Sequence, residues 1–549
     1  MATPDHATAE QVIKHAERVI SQRGVWESHW QETAQLVWPA WSETFQMGGF
    51  DNTQGGGRKK TDHQFDATAP GALVKFAAIM ESLNTPSGSK WARLVPSDPI
   101  LMRNRNVRLW FEGASDTLHK YRYATKANFQ SQNQGVWMST GLFGTGVLFI
   151  DKPAPRDGPG LRYRCLHLGE SYLLANHQGI IDTLIRKFKL TARQAAQKFG
   201  MENLPPNIRK CFENNGNTEQ EFTFYHCVKP REDVDPRRVD YKGMPFASYY
   251  VSETQKWMVQ EGGYTSFPAP TNRYWVGPGE VYGRGPATLA LPDIKTLNEQ
   301  ERTMLKQGHR AVDPILLIAD DGMLDSVNLR PGAQNFGGVN QDGKLLVHTL
   351  PTGDFQVAKE LIQDKRRAVQ DPFLISLFQI LVENPQMTAT EVVERAREKG
   401  MLLAPTAGRT QAEYLGPMNT RDVDLLAEQG LLSPMPQMLI DAQGEYEIEY
   451  DSPMARLQKA EESAGTMRTI QWASEIANVA QDPSVMDQFD FDAIIPDLAE
   501  SNAMPVRHMA SPEKIAAKRA QREQAMQAQT MKDVLPGVAG LAKAAGAPA

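Results

Sequence analysis

Hydrophobic and polar residues alternate most regularly between residues 291 and 399, where the pattern predicts two long helices around a short β-rich excursion. The first helix, LPDIKTLNEQERTMLKQGHRAV, breaks at Asp313-Pro314, and two short apolar runs (ILLIA and LLVH) follow with a polar loop between them. The second helix, DFQVAKELIQDKRRAVQDPF, has Asp354 in position to cap its first turn. Each helix has an apolar stripe at helical spacing. The first stripe consists of Leu291, Ile294, Leu297, Met304 and Leu305, and the second of Val357, Ala358, Leu361, Ile362, Ala368 and Val369.

The N-terminal half of the chain divides by the same criterion into helical and β-rich parts. Residues 8–22 and 66–83 have apolar residues at helical spacing, and short alternating runs between residues 160 and 290 predict strands. One predicted helix interrupts these strands, with Thr191 as its N-cap and Gly200 at its end. We therefore expect a helical beginning followed by a β-rich region.

The C-terminal part is predominantly helical by pattern. Thr388 and Glu391 form a capping box that begins one helix, and the helical pattern continues beyond it with a break at Gly416-Pro417. YEIEY predicts a short strand, and Ser452-Pro453 begins a long amphipathic helix. We expect a mainly helical α+β protein with several parts.

Composition narrows the class of function. The chain has 549 residues, a formal charge of −6 and 41% hydrophobic residues, so it has ample material for cores and is not a strong nucleic-acid binder on net charge alone. No apolar run approaches the ~18 residues that a membrane span requires. Three cysteines without CxxC spacing favour reduced thiols, and we expect synthesis in the cytoplasm, no membrane partner and no cofactor.

Two glycine-rich stretches resemble phosphate-binding loops. GVNQDGK, beginning at Gly338, matches GxxxxGK, but Leu345 stands where a Ser or Thr would bind magnesium, and a strand pattern follows instead of a helix. Gly141, Gly144 and Gly146 lack a preceding strand and a following helix. We predict a hairpin-like turn at the first stretch and a tight turn into a strand at the second.

Aromatic and sulfur-containing residues offer two further candidates. Four tryptophans between Trp26 and Trp41 could stack on bases, but no basic residue lies among them, which favours helix packing. The pairs Cys165-x-His167 and His226-Cys227 could bind zinc only if they converged, and strand alternation places residues 226 and 227 on opposite faces. We predict structural thiols and ordinary histidines.

Lys365, Arg366 and Arg367 form the one basic cluster of the second long helix. Successive helical residues point about 100° apart, so the three side chains cannot all face the same way. They fit a solvated face, a salt bridge between subunits or contact with DNA, and the sequence leaves these alternatives open. No nucleophile stands beside a base here, so we expect no enzymatic activity.

The order of segments resembles the head-to-tail connector (portal) proteins of short-tailed, T7-like bacteriophages. The segment MTATEVVERAREKGMLLAPTAGRTQAEYLGPMNTRDVDLLAEQG has the most specific likeness. HQFDATAPGALVKFAAIMESLNTPSGSKWARL, GTGVLFI and YEIEYDSPMARLQKAEE resemble the same family in the same order, so the likeness covers nearly the whole chain.

The resemblance implies a ring of twelve copies at a capsid vertex, with a division of each copy into functional parts. These parts are a wing at 1–290, a first stem helix at 291–312, a clip at 313–352, a second stem helix at 353–372, a tunnel loop at 373–387, a long wing helix with a return strand at 388–451, crown helices at 452–535 and a disordered tail at 536–549. The two stripes exceed what a two-helix hairpin can bury, so neighbouring copies are expected to cover the remainder.

The resemblance also implies partners and sites. Double-stranded DNA would pass through the ring, and the partners would be major capsid and scaffolding proteins, terminase, a tail adaptor and internal core or ejection proteins, in a virion assembled in the host cytoplasm. The DNA-channel candidates are Lys365, Arg366, Arg367, Gln379, Asn384 and Gln386. The clip candidates for docking terminase and the tail are Asp325, Asn328, Arg330, Asn335, Asn340, Asp342 and Lys344.

Two other classes of function remain open. One is another structural protein of the virion shell or tail, which multi-domain size alone supports. The other is a nucleotidase or nuclease of the packaging machinery, which only the incomplete GxxxxGK supports, since no paired carboxylates suggest a two-metal nuclease.

Overall fold

A computed structural model describes most of the chain. The described residues are 6–42, 45, 61–98, 100–213, 216–235, 237–238, 240–318, 327–336, 338–339, 342–350, 355–375, 406–442, 444–450, 453–480, 483–501, 504, 508–511 and 513–526. They combine helices with several small sheets, as expected for a mixed α and β protein. The contacts define two compact units, one of residues 1–87 and 121–429 and the other of residues 88–120 and 430–549.

The helices agree closely with the hydrophobic pattern. The first nine are α1 (His6–Gln22), α2 (Gly24–Val37), α3 (Thr68–Asn84), α4 (Arg105–Arg122), α5 (Phe129–Phe143), α6 (Ala192–Phe199), α7 (Pro206–Arg209), α8 (Pro286–Val312) and α9 (Phe355–Gln370). Further helices span Gly416–Glu428, Gln437–Asp441, Pro453–Ala480, Phe491–Ser501 and 513–526.

The strands form four antiparallel sheets in the described residues. They are β1 (Ala92–Pro96), β2 (Thr145–Asp151), β3 (Arg162–Leu166), β4 (Ser171–Ala175), β5 (Ile181–Thr191), β6 (Glu221–Pro230), β7 (Phe246–Ser252), β8 (Trp257–Tyr264), β9 (Thr271–Arg273), β10 (Leu316–Ile318), β11 (Val347–Thr349) and β12 (Tyr446–Tyr450). The sheet orders are β1-β12, β10-β11, β3-β2-β9 and β4-β5-β6-β7-β8.

The five-stranded sheet of the first unit is covered on both faces. The apolar side of α1 packs on one face, where Ile185, Tyr225 and Cys227 point, and α6 packs on the other, where Phe188 and Phe224 point. Because side chains alternate along a strand, this arrangement requires two apolar faces from the same strands. The predicted β-rich region is therefore a two-sided core layer.

The α6 helix begins and ends as predicted. Thr191 Oγ1 accepts from the backbone N–H of Gln194 at 3.3 Å, and the Gln194 side chain accepts from the Thr191 N–H at 3.1 Å. Gly200 follows the helix with a φ of 79°, a conformation that favours glycine. The predicted N-cap and terminating glycine are both confirmed.

The Gly141–Gly146 stretch is a helix end that turns directly into a strand. Gly144 ends α5 with a φ of 82°, and β2 begins at the next residue. A Cβ on Gly146 would lie 2.5 Å from the carbonyl oxygen of Val136, so the close approach of α5 and β2 requires glycine there. The order, helix before strand, is the reverse of a phosphate loop, and the predicted turn is confirmed.

The tryptophans of α2 pack inside the first unit. Trp30 is buried, with its ring centroid 5.6 Å from that of Trp26 and 5.0 Å from that of Tyr282. Trp41 stacks on Phe143 with centroids 6.2 Å apart. The packing interpretation is confirmed for these residues, because their ring contacts are with the chain's own aromatic side chains.

Two helix boundaries differ from the prediction. The helix expected to start at Leu291 begins at Pro286 and contains Pro292, because the burial of Ala287 and Ala290 outweighs the hydrogen bond that proline removes. The break expected at Gly416-Pro417 is wrong. A π-helical turn, Gln411–Leu415, leads directly into the helix Gly416–Glu428, and its wider hydrogen-bond spacing lets the helix continue through the proline.

The second unit is organised around a strand pair of distant residues. β12, which the sequence predicts from YEIEY, pairs with β1 so that Ala92 lies opposite Tyr450. The Trp110 indole N–H donates to the carbonyl of Ser433 at 2.9 Å, which ties α4 to the chain before the Gln437–Asp441 helix. The long amphipathic helix begins at Pro453, as predicted, while the Thr388 capping box and residues 536–549 lie outside the described residues.

None of the helices in the described ranges has the length and hydropathy of a membrane span.

Candidate functional site: the two-helix hairpin

The hairpin of α8 and α9 is anchored to the first unit at its base. Leu291, Ile294 and Leu297 of α8 are buried, as are Ile362 and Val369 of α9. The base is closed by Phe373, which follows α9 and lies edge-on to Phe76 of α3 with ring centroids 6.3 Å apart. The apolar residues at the base are therefore covered by this chain alone.

The apolar stripes are only partly covered. Leu305 of α8 is 50% exposed, and Leu361 of α9 is 54% exposed, although its neighbour Ile362 is only 3% exposed. Because adjacent residues of α9 differ so much, the predicted excess of apolar surface depends on which face of the helix a residue occupies. Sequence periodicity identified the stripes but not which of their residues the chain's own body covers.

The excursion at the tip of the hairpin is a small two-stranded sheet with a closed turn. β10 and β11 pair with Leu316 opposite Thr349. Within the loop, Val339 pairs with Leu345 as an antiparallel bridge, the N–H of Leu346 donates to the Gly338 carbonyl at 3.0 Å, and Gly343 has a φ of 76°. The described residues at the two ends of the GxxxxGK stretch therefore pair as in a hairpin-like turn, as predicted. The strand β11 follows, and not a helix whose N-terminus could bind a phosphate.

Two of the exposed polar residues predicted for docking, Asn328 and Asn335, also shape the loop. The backbone N–H of Asn328 donates to the Asn335 side-chain oxygen at 2.7 Å, and Asn335 Nδ2 donates back to the Asn328 carbonyl at 3.0 Å. These amides hold the loop in shape. Arg330, Asp342 and Lys344 are exposed, while Asp325 and Asn340 lie outside the described residues.

The excursion exposes apolar side chains that sequence reasoning did not select as a docking surface. We call these residues the tip patch. They are Val312, Ile315, Leu317, Ile318, Leu329, Phe336, Val339, Leu345 and Leu350, each at least 41% exposed. The apolar runs ILLIA and LLVH could have indicated this surface from the sequence. Two three-residue strands cannot enclose a core, so their apolar side chains must stay exposed. So many exposed apolar residues in one small excursion indicate an association surface.

Ion pairs within the chain hold two of the three predicted DNA-channel cations. Lys365 Nζ lies 2.7 Å from Asp293 Oδ1 on α8. An Arg366 guanidinium nitrogen lies 3.0 Å from Asp66 Oδ2 and 2.6 Å from Glu301 Oε1, and both carboxylates are largely buried. Arg367 is exposed. The three side chains point in different directions, as helical geometry requires.

These pairs bear on the alternatives for the basic cluster. The salt bridges found for Lys365 and Arg366 join α9 to α8 and to the segment before α3, all in the same chain. A salt bridge between subunits is therefore not needed to neutralise them. The other channel candidates, Gln379, Asn384 and Gln386, lie outside the described residues.

The cysteine and histidine pairs do not converge. On β6, His226 stacks on Tyr250 with ring centroids 3.9 Å apart, whereas Cys227 lies in the cluster beneath α1 on the opposite face. Burial raises the pKa of Cys165 and of Cys227 to about 12, so both thiols stay protonated. Among the described residues, no group of three or more His, Cys, Asp or Glu is arranged to hold a metal ion.

A buried ionic network in the first unit escaped the sequence analysis. Two nitrogens of Arg122 donate to Asp422 Oδ2 at 3.0 and 2.7 Å, and Tyr163 donates to the same oxygen at 2.6 Å. Burial alone would lower the pKa of Arg122, but the adjacent Asp422 outweighs it and raises that pKa. The pair joins residues 300 positions apart, and no local pattern in the sequence could reveal it.

The hairpin thus combines a base anchored by packing and ion pairs with a tip whose apolar surface this chain leaves uncovered. That combination defines a structural protein that associates with other chains. The chain belongs to the family of bacteriophage head to tail connecting proteins, which it matches over residues 9–509. The likeness found in its segments is confirmed.

The chain is also similar to two bacteriophage proteins. It is 28% identical to a protein of Bordetella phage BPP-1 described as a probable portal protein. The matched region of 489 residues covers 86% of this chain and 83% of the relative. The chain is 25% identical over 532 residues to the portal protein of Salmonella phage epsilon15, covering 95% of this chain and 92% of the relative.

Proposed function

We propose that this chain is the subunit of a portal, a ring at one capsid vertex through which double-stranded DNA is packaged and later ejected. The observation that carries the proposal is the tip patch, together with the exposed Leu305 and Leu361 of the hairpin, in a chain that matches the head to tail connecting family over residues 9–509. Two relatives that are portal proteins by name support the same function. The shell, tail and nucleotidase alternatives have no comparable support.

We propose that the uncovered surface is satisfied by heterologous contacts between copies. If a neighbour covers Leu305 and Leu361 of one copy with a different surface, its own Leu305 and Leu361 stay exposed, and such contacts continue until rotation closes them into a ring. We propose twelve copies, a number that rests on the family resemblance. The portal subdivision into wing, stem, clip, tunnel loop and crown belongs to the same proposal.

The tip of the hairpin is the proposed docking site. It would meet the terminase during packaging and the tail adaptor afterwards, using the tip patch and the exposed polar residues Arg330, Asp342 and Lys344 around it. Apolar centres with polar rims are typical of protein interfaces. Capsid, scaffolding and internal core or ejection proteins would contact other parts of the ring, in a virion assembled in the host cytoplasm.

The hairpin charges suit a channel that lets DNA slide. Lys365 and Arg366 pair with carboxylates of their own chain, whereas the exposed Arg367 makes no ion pair with the described residues. A lumen with few unpaired cations avoids trapping phosphate groups. We propose a non-enzymatic conduit that contacts DNA weakly and repeatedly.

Depletion of the chain tests this function. Heads assembled without it should contain no genome, and supplying the chain before assembly should restore filling. The purified chain should hydrolyse no ATP, with or without DNA. Filled heads without the chain, or DNA-stimulated hydrolysis by the chain alone, would contradict the proposal.

A further inference from the structure

A groove runs along α1 where this helix lies on the five-stranded sheet. It has a volume of about 540 Å³ and is bounded by one side of α1 and by β6 and β7. The lining residues of α1 extend from Thr8 to Arg18, which at 1.5 Å per residue is a length of roughly 15 Å. The groove lies in the first unit, outside the hairpin and its tip patch.

Basic residues line one part of this groove. Lys14, His15 and Arg18 line it from α1, and Lys229 lines it from β6. None of the nine described residues that line it has a carboxylate. Arg18 is exposed and Lys229 is half-buried, so both ammonium and guanidinium groups remain accessible to a ligand.

A carboxylate that pairs with one of these cations, Glu10, lies at the edge of the groove rather than in its lining. Glu10 Oε1 lies 3.3 Å from Lys14 and 2.9 Å from Lys256, so it is shared between two lysines. Burial lowers the pKa of His15, and the charges of Lys229 and Arg18 lower it further. Glu261 and Asp233 act on Tyr249 from outside the lining, so the lining itself is positively charged although carboxylates lie near it.

We infer that this groove binds an extended acidic segment of a partner protein. The recess is roughly 15 Å long, the length of about four or five extended residues, and its α1 cations Lys14 and Arg18 lie about one helical turn apart within it. Tyr249, half-buried on β7, adds an aromatic surface for an apolar residue between the carboxylates. A DNA duplex presents its phosphates on a convex rod, which a recess of about 540 Å³ does not admit.

Peptide binding by the full-length chain tests the inference. The probe is a fluorescein-labelled peptide of alternating Glu and Asp with one central Tyr, and the control peptide has Gln and Asn in place of the acids. Anisotropy should show binding of the acidic peptide alone, weakening as salt increases. The double variant Arg18→Gln/Lys229→Gln should weaken binding about tenfold, since two partly exposed charge pairs are lost.

Matched variants separate charge from folding. Lys210→Gln removes an exposed lysine of the same unit outside the groove and should leave the affinity unchanged. If the double variant unfolds at a lower temperature than the wild type, Arg18→Gln alone, on the exposed side of α1, replaces it. Equal affinity of wild type and groove variants for the acidic peptide would overturn the inference. So would a short DNA duplex that binds more tightly than the peptide and is weakened by the same variants.

Discussion

His226 is a titratable residue that the fold removes completely from water. It is fully buried against Tyr250 and Phe149, and one ring nitrogen lies 3.0 Å from the hydroxyl of Ser248. Burial, with the charges of Arg186 and Lys198, lowers its pKa well below the ordinary value of 6.5. The histidine therefore stays neutral in the folded chain.

This environment predicts a pH dependence of stability. Below pH 6.5 the unfolded chain binds a proton at His226 that the folded chain does not, so stability is complete above that pH and decreases as the pH falls. We expect the midpoint of thermal unfolding to fall between about pH 7.5 and about pH 5.5. His226→Phe should reduce this fall, whatever its effect at neutral pH.

Exposed histidines provide the control for that experiment. His177→Phe, at an exposed position after β4, should leave the pH dependence of the wild type unchanged. An unchanged pH dependence in His226→Phe would mean that His226 is accessible to protons in the folded state.

Arg366 and Arg367 are adjacent in sequence but should respond differently to charge reversal. Arg366→Glu places a third acid beside Asp66 and Glu301, so the hairpin base should loosen and the unfolding midpoint should fall. Arg367→Glu disrupts no ion pair found in the described residues and should leave the midpoint within about 1 °C, because surface substitutions change stability little.

The same two variants test contact with DNA. If Arg367 faces the proposed channel, Arg367→Glu should change the fraction of DNA retained in filled heads without changing the number of rings. Unchanged retention would remove Arg367 from the channel. Sequence analysis named Lys365, Arg366 and Arg367 alike as channel candidates, and the ion pairs of the first two make Arg367 the better choice.

At the level of elements, sequence predicted what depends on local signals. Helical periodicity identified α1, α3, α8 and α9, and single residues set boundaries where a cap or a left-handed glycine was required, as at Thr191 and Gly200. These features depend on residues within one or two turns of each other. The same locality explains why the turn at Gly338–Lys344 could be distinguished from a phosphate loop.

Sequence did not predict elements whose stability depends on distant partners. β1 pairs with β12, and Arg122 pairs with Asp422, across some 300 or more positions in each case. The early start of α8 and its continuation through Pro292 depend on burial against other helices. Sequence also could not predict which apolar residues of the hairpin stay exposed, because periodicity shows where apolar residues lie but not what covers them.

Deletion of the excursion loop tests the role of the tip. Removing residues 325–342 takes away Phe336, Leu329 and Val339 of the tip patch but leaves β10, β11 and both long helices. Rings should still form, because their contacts lie along the hairpin, whereas the tail adaptor should no longer dock. Pull-down of the adaptor, with ring formation followed by electron microscopy, measures both.

A control for the deletion keeps the loop and alters only its surface. Phe336→Ser, at a side chain that is 83% exposed, should weaken adaptor binding without loss of rings. Loss of rings in either variant would show that the tip belongs to the contacts between copies.

At the scale of the whole molecule, the account depends on the apolar surface of the hairpin. The chain covers Leu291, Ile294 and Ile362 and leaves Leu305, Leu361 and the tip patch exposed. Such a surface is satisfied by other copies of the chain or by partners.

Imaging of the purified full-length chain by electron microscopy, with its mass measured in the same buffer, tests this claim most directly. The account predicts a closed ring with an open axis wide enough for duplex DNA, and a mass that is a whole multiple of the 61.2 kDa chain. A chain that remains monomeric at high concentration, or a ring whose centre is filled by protein, would contradict it.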